Sequence, residues 1–331
     1  MQSGDPFAKY VVDLRSPSDA VIHRLRLAFE RPAIAGAQRI SGDRSMEKYL
    51  IAKDTWVLSQ VFPVPLATNI NANSMIIAGK EPVIVDTGPS VTRDDWLRTA
   101  WSIVDPGAVR WVFLSHDDGD HIGNLLPVLE ACPNAKVLTG SFAMGRMRLD
   151  HGIELPPLRV RWVNDGDSFE AGDRALLAVR PPVFDAPTTR GLFDASTGVY
   201  WAGDAFGCMV PRHLDDIAGV PEDERWDAFY KVNRMISPWH RWLDSGRYNA
   251  HIDSLQALGI EAIATCHGPA IRSSLVDEVL TRIRELPSLP ALDEPGQGDL
   301  DQLIEMVMGQ HAAAANGAEP AARGAAEPAA A

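Results

Sequence analysis

A chain of 331 residues, 46% of them hydrophobic, is long enough to bury one large core or two ordinary ones. Its net charge of −13 leaves no basic stripe to displace counterions, which excludes a nucleic-acid backbone as the main partner. No apolar run reaches membrane-spanning length, residues 1–9 lack a basic segment followed by an apolar one, and Cys132, Cys208 and Cys266 form no Cys-x-x-Cys. A soluble, cytoplasmic protein with buried free thiols is therefore expected, without a membrane partner, a disulfide framework or a structural zinc knuckle.

In chain order, residues 16–29 read as a surface helix with Val21, Ile22, Leu25 and Leu27 near one face. Residues 56–61 carry a short strand signal, and residues 73–78 and 82–85 read as strands around a hairpin-length loop. The second strand exits into Asp86-Thr87-Gly88, where Asp86 suits both a turn cap and a carboxylate at the strand tip. An amphipathic helix over 93–103 precedes the apolar strand 111–114. That strand runs into Ser115-His116-Asp117-Asp118-Gly119-Asp120-His121, and a helical pattern follows over 122–132. A strand at 136–138 completes a β-α-β pattern around this motif.

Helix is expected again at 142–149, then strands at 160–163, 176–179, 191–193 and 198–202. Residues 222–242 and 247–258 are helical in pattern, with Trp226, Phe229, Tyr230 and Val232 as core rather than cofactor contacts. A last buried strand at 260–265 and a helix at 274–286 close the folded part. Three regions follow: a helical extension at 1–45, the main domain at 46–290, and a short helix at 300–308 leading into an Ala/Pro/Gly tail read as disordered.

The chemistry concentrates at strand tips. Two imidazoles and three carboxylates fall within residues 116–121, and without a cation those carboxylates would repel one another. The plainer reading makes Asp118 and Asp120 helix caps, but capping needs only one such residue. Asp204 within Gly203-Asp204-Ala205-Phe206-Gly207, His267 before Gly268-Pro269, and Asp185 before Ala186-Pro187 are further polar tips. In a layered α/β fold such tips converge at one edge, so a pair of divalent metals is predicted there. His151, His213, His240 and His251 fit no such pattern and read as ordinary histidines, and Cys266 and Cys208 as packing residues. Asp117 is placed outside the donor set.

The ordered set His-x-Asp-x-Asp-His, Gly-Asp and His-Gly-Pro resembles the metallo-β-lactamase superfamily. More narrowly it resembles the diiron domain of flavodiiron proteins and their flavin-free, oxygen-binding diiron relatives. Most hydrolases of that superfamily carry His where this chain has Asp118, whereas the flavodiiron group carries a carboxylate. The resemblance spans residues 56–286 and implies an α/β fold, the αββα four-layer sandwich.

It also implies a first metal on His116, Asp118 and a bridging Asp204, and a second on Asp120, His121, Asp204 and His267. The group supplies one more His to the first metal at the place of Asp185. Either Asp185 ligates through oxygen or that metal is one ligand short. Carboxylate-rich donors favour iron, with manganese and zinc as alternatives.

The expected function is binding or reduction of dioxygen or nitric oxide by a non-haem diiron site. No flavodoxin-like domain or flavin is expected in cis, so turnover would need an external electron donor. Without a donor the protein would be a gas binder or sensor. The alternatives are a metal-dependent hydrolase of thioesters, phosphodiesters or lactones, and a degenerate single-metal protein. By resemblance alone, a homodimer is expected.

Overall fold

The computed structural model describes residues 46–64 and 67–305. The helix expected at 16–29 and the Ala/Pro-rich tail lie outside them. The chain enters through β1 (Glu47–Ala52), β2 (Thr55–Ser59), the short pair β3 (Val61–Pro63) and β4 (Asn69–Asn71), then β5 (Ser74–Ile77) and β6 (Val83–Val85). Helix α1 (Arg93–Trp101) leads to β7 (Trp111–Phe113), and α2 (Gly119–Ile122) and α3 (Leu125–Ala131) lead to β8 (Lys136–Thr139). After α4 (Ser141–His151), β9 (Val160–Trp162) completes a seven-stranded sheet in the order β1-β2-β5-β6-β7-β8-β9. Pairing is antiparallel as far as β6 and parallel from β6 to β9.

A second, six-stranded sheet follows in sequence order. It holds β10 (Ser168–Ala171), β11 (Arg174–Val179), β12 (Gly191–Asp194), β13 (Val199–Trp201), β14 (Ala262–Ala264) and β15 (Ile271–Arg272). Only β13 and β14 pair in parallel, because a parallel return needs a long crossover. Helices α5 (Glu222–Ile236) and α6 (Ser245–Gln256) supply it, and α7 (Val276–Ile283) closes the fold.

Strand alternation sorts the side chains into three cores. Met75, Ile77, Val83, Val85 and Phe113 face Leu176, Ala178, Leu192, Val199 and Trp201 between the sheets. Their neighbours Ile76, Ile84, Val112 and Val137 face Trp96, Leu125 and Val128 on the helices of one side. Phe193, Tyr200 and Ile263 face Phe229, Val232, Ile252 and Val279 on the other. Three cores between four layers make the αββα sandwich. Strands buried on both faces have to be apolar throughout, which is why β6 reads Val-Ile-Val and β14 Ala-Ile-Ala.

The structure departs from the sequence expectations at a few places. The helix expected over 122–132 is two short helices parted at Gly123 and Asn124. A Cβ at Gly123 would collide with backbone atoms of Gly119, Gly88 and Ser90, so only glycine lets the turn after β6 pack this closely against the break. The helix expected over 222–242 stops at Ile236, where Pro238 removes a donor and holds Ser237 outside helical geometry. Strand β1 escaped notice because only Ile51 within it is fully buried, which leaves no clean alternation. Among the described residues no helix is long and apolar enough to cross a membrane.

Candidate metal centre

Four of the six strands that pair in parallel, β6, β7, β13 and β14, each hand the chain to a polar tip at one edge of the sandwich. Asp86, just past β6, holds a left-handed backbone (φ 57°) that a non-glycine residue adopts only when its surroundings enforce it. Its buried carboxylate accepts hydrogen bonds from the Ser115 backbone N–H (2.7 Å), Ser115 Oγ (2.6 Å), Trp201 Nε1 (3.0 Å) and His121 Nδ1 (2.8 Å). Since a carboxylate only accepts, His121 carries a proton on Nδ1 and turns Nε2 toward the site.

The other two imidazoles are set the same way. His267 Nδ1 donates to the Asn71 carbonyl at 3.0 Å. His116 Nδ1 lies 3.1 Å from Ser115 Oγ, whose own proton goes to Asp86. Three Nε2 atoms therefore converge on Asp204. Asp204 Oδ2 is 3.2 Å from His116, and Oδ1 is 2.9 Å from His121 and 3.3 Å from His267. One buried carboxylate thus splits its oxygens between two donor groups. On the first side, Asp118 Oδ2 and Asp185 Oδ1 stand 3.6 and 3.9 Å from His116 Nε2. On the second, Asp120 Oδ2 stands 3.6 Å from His121 Nε2 and 3.4 Å from His267 Nε2.

His116 Nε2, His121 Nε2 and Asp204 Oδ1 are buried yet make no aligned hydrogen bond, in spite of these short separations. A buried polar atom left unpaired costs about 1–3 kcal/mol, so three aimed at common centres fit a cation rather than one another.

The electrostatics agree. Burial and the neighbouring His121 push His116 down, but the carboxylates of Asp204 and Asp118 outweigh both and lift it to about 10. Burial alone would raise Asp204, and the three surrounding imidazoles hold it well below the usual carboxylate range. Asp185 is raised by burial and then by the Asp204 charge, so it is a carboxylate short of cations. A cation at this edge would relieve Asp185 and take the place of the proton that these carboxylates hold on His116.

The structure brings together all seven residues singled out in the sequence: His116, Asp118, Asp120, His121, Asp185, Asp204 and His267. Their donor atoms form groups that could hold metal ions: His116, Asp118 and Asp185; His116, His121 and Asp204; and Asp120, His121 and His267 together with Cys266. Cys266 had read as packing. Asp117 lies outside these groups, but it is buried, accepts from Thr188 Oγ1 at 2.6 Å and pairs with Arg146 Nε at 2.9 Å. It ties α4 and the Asp185 loop to the motif.

Ser115, Trp201 and the Asn71 carbonyl, which orient the imidazoles, carried no ligand signal in the sequence. Of the other described histidines, His240 Nδ1 meets the Ser237 carbonyl, His251 Nε2 meets the Arg180 carbonyl, His213 lies edge-on to Tyr49, and His151 is exposed at the end of α4. Burial pushes the Cys132 thiol up to about 11 and that of Cys208 up to about 12, in keeping with inert core positions.

An αββα sandwich that pools imidazoles and carboxylates at the carboxyl ends of its parallel strands defines a protein of the metallo-β-lactamase fold. Residues 70–268 match the family model described as ODP family beta lactamase, and the chain belongs to that family. Among curated relatives, the flavo-diiron protein FprA2 of Clostridium acetobutylicum is 26% identical over 236 residues, which is 69% of this chain and 57% of that protein. The chain therefore matches little more than half of that relative's length.

Among solved structures, rubredoxin oxygen:oxidoreductase from Desulfovibrio gigas superposes with a TM-score of 0.63 at 17% identity, covering 73% of this chain and 61% of that one. The metal-soaked Flv1 flavodiiron core from Synechocystis sp. PCC6803 gives 0.61 at 19%, covering 74% and 61%. These two likenesses establish the shared fold.

Proposed function

We propose that the chain is a dinuclear, non-haem iron protein that binds or reduces dioxygen or nitric oxide. The observation that carries this reading is the division of Asp204, one oxygen toward His116 and the other toward His121 and His267. In this reading His116, Asp118, Asp185 and Asp204 hold the first ion, and Asp120, His121, His267 and Asp204 hold the second. Four aspartates offset the charge of two divalent ions, and hard oxygen donors suit iron or manganese better than zinc.

Bound iron would supply redox chemistry toward dioxygen or nitric oxide, with electrons from a separate donor protein. Oxygen oxidoreduction is named in the Desulfovibrio gigas protein, which shares the fold, and this supports the choice of substrate. The chain's own part is to orient and to neutralise. Asp86 and the Asn71 carbonyl keep the Nδ1 protons of His121 and His267 in place, so their Nε2 atoms need no rearrangement to ligate. Arg146 faces the second oxygen of Asp118 at 3.7 Å and steadies it at the rim.

Protein produced with iron and purified without air should contain mainly iron, and should gain near-ultraviolet absorbance on exposure to air. Stoichiometric zinc with no response to oxygen would overturn the diiron reading in favour of a metallo-hydrolase.

A further inference from the structure

We infer that Cys266 is a sulfur ligand of the second metal position, where it adds a thiolate to the two imidazoles, Asp120 and the shared Asp204 and makes that position unlike its carboxylate-rich neighbour. The inference rests on the two-metal reading above and adds to it a donor of a different kind.

The geometry carries it. The donor atoms of Asp120, His121, Cys266 and His267 all lie within 4.8 Å of one another. Around a tetrahedral ion, metal–nitrogen and metal–oxygen bonds of about 2.0–2.2 Å and metal–sulfur bonds of about 2.3 Å put N···O edges at about 3.4 Å and S···O edges at about 3.6 Å. The observed edges are 3.4 Å from His267 Nε2 to Asp120 Oδ2, 3.6 Å from His121 Nε2 to Asp120 Oδ2, and 3.8 Å from Cys266 Sγ to Asp120 Oδ2. The competing account is a thiol that merely donates to Asp120. It uses one sulfur–oxygen contact and gives no role to the gathering of the His121 and His267 nitrogens within 4.8 Å of the same sulfur, whereas one shared ion engages all four atoms.

Cys266 is also held as tightly as the established tip residues around it. Its N–H donates to the Gly203 carbonyl at 2.7 Å, and its carbonyl accepts from the Asn73 N–H at 3.0 Å. Thr265 Oγ1 donates to the same Gly203 carbonyl at 3.0 Å. The thiol is therefore fixed to the loop that carries Asp204. Ligation forms a sulfur–metal bond and releases the thiol proton to solvent, with no electron moved. Soft thiolate draws zinc and cobalt, so the two positions should differ in preference: iron or manganese at the first, and zinc or cobalt more readily at the second.

The test is an anaerobic titration of the metal-free full chain with cobalt(II), followed by absorbance, for wild type, Cys266→Ser, Cys266→Ala and Cys132→Ser, the last in the core between the first sheet and its helices. The wild type should show a near-ultraviolet sulfur-to-cobalt charge-transfer band as well as visible ligand-field bands. Cys266→Ser and Cys266→Ala should keep ligand-field bands from bound cobalt, lose the charge-transfer band, and bind cobalt at the second position more than about tenfold more weakly. Cys132→Ser should match wild type.

Ligand-field bands without charge transfer in the wild type would overturn the sulfur ligand while leaving the two-metal reading standing. That result does not depend on any variant folding. A charge-transfer band that persists in Cys266→Ser would do the same. Cobalt failing to bind the wild type at all would overturn the two-metal reading and the sulfur ligand together.

Discussion

At the scale of single residues, Asp185 is where this chain differs most from the ligand set implied by its resemblance. Its Oδ1 stands 3.9 Å from His116 Nε2, the widest of the spacings to that imidazole, and its side chain is 41% exposed. Burial and the Asp204 charge already raise its pKa, so the site carries one carboxylate more than its own cations balance. Replacing an anionic donor by a neutral one relieves that repulsion and favours the reduced metal. Asp185→His should bind the first ion more than about tenfold more tightly or raise its reduction potential, and leave the second position as it was. Isothermal titration and a redox titration would read both. If content, affinity and potential all stay at wild-type values, Asp185 lies outside the coordination sphere.

Among elements, α5 does more than cover the second sheet. Phe206, two residues past Asp204, holds a left-handed backbone (φ 63°), which is costly for a bulky side chain. Asn233, fully buried on α5, locks it in place. Its Oδ1 accepts from the Phe206 N–H at 2.8 Å, and its Nδ2 donates to the Gly207 carbonyl at 3.1 Å and the Phe229 carbonyl at 2.8 Å. Gly207 completes the turn, since a Cβ there would run into Val232 and His267. Asn233→Ala leaves the Phe206 N–H and the Gly207 carbonyl buried without this partner. It should destabilise the protein by about 2–3 kcal/mol and loosen Asp204, so both metal positions lose occupancy together. Denaturant unfolding with an unchanged slope, and metal content after gel filtration, are the measurements. Wild-type stability with wild-type metal content would show that the loop keeps its shape without the clamp.

For the whole molecule, the site edge is also where the two sheets are stitched together. Asp86 and Ser115 belong to the first sheet's tips, Trp201 and Arg190 to the second. They meet through Trp201 Nε1–Asp86 at 3.0 Å and the Arg190 N–H to the Ser115 carbonyl at 2.8 Å. Asn73 adds a further tie, donating to the Thr265 and Gly268 carbonyls at 2.8 and 2.7 Å. Ions bound between the sheets would crosslink the same edge. With free metal at a thousand times its dissociation constant, the native state should gain about 4 kcal/mol, so chelation should lower the melting temperature by several degrees.

The gap should depend on pH. His116 keeps its proton up to about pH 10 when no metal is bound, and an ion has to displace that proton. Affinity therefore rises with pH, and the melting gap between metal-bound and metal-free protein should widen from pH 6 to pH 8. A gap that is constant or narrows over that interval would mean that His116 is not a ligand.

The sequence alone marked the seven His and Asp candidates that the fold brings together. Ligands in this fold sit at strand tips, and a strand followed by His116, Asp118, Asp120 and His121, or by Asp204 or His267, is a local pattern of identity and spacing. Short apolar strands and the helices between them are equally local, so an α/β chain was legible from pattern, and the αββα class followed from the resemblance that the tip motifs carry. Tertiary structure alone decided how the ligands are aimed. The Asn71 contact to His267 runs through a backbone carbonyl, which every residue type possesses and which leaves no mark in the sequence. The four donors around Asp86 come from two separate segments, residues 115–121 and Trp201, brought together only when the sheets pack. The Cys266 thiol became a candidate donor because its strand docks beside Asp120, residues far apart in the chain but 3.8 Å apart in space. The split at Gly123 was likewise invisible, because the backbone it avoids belongs in part to Gly88 and Ser90, which pack against it only in the folded state.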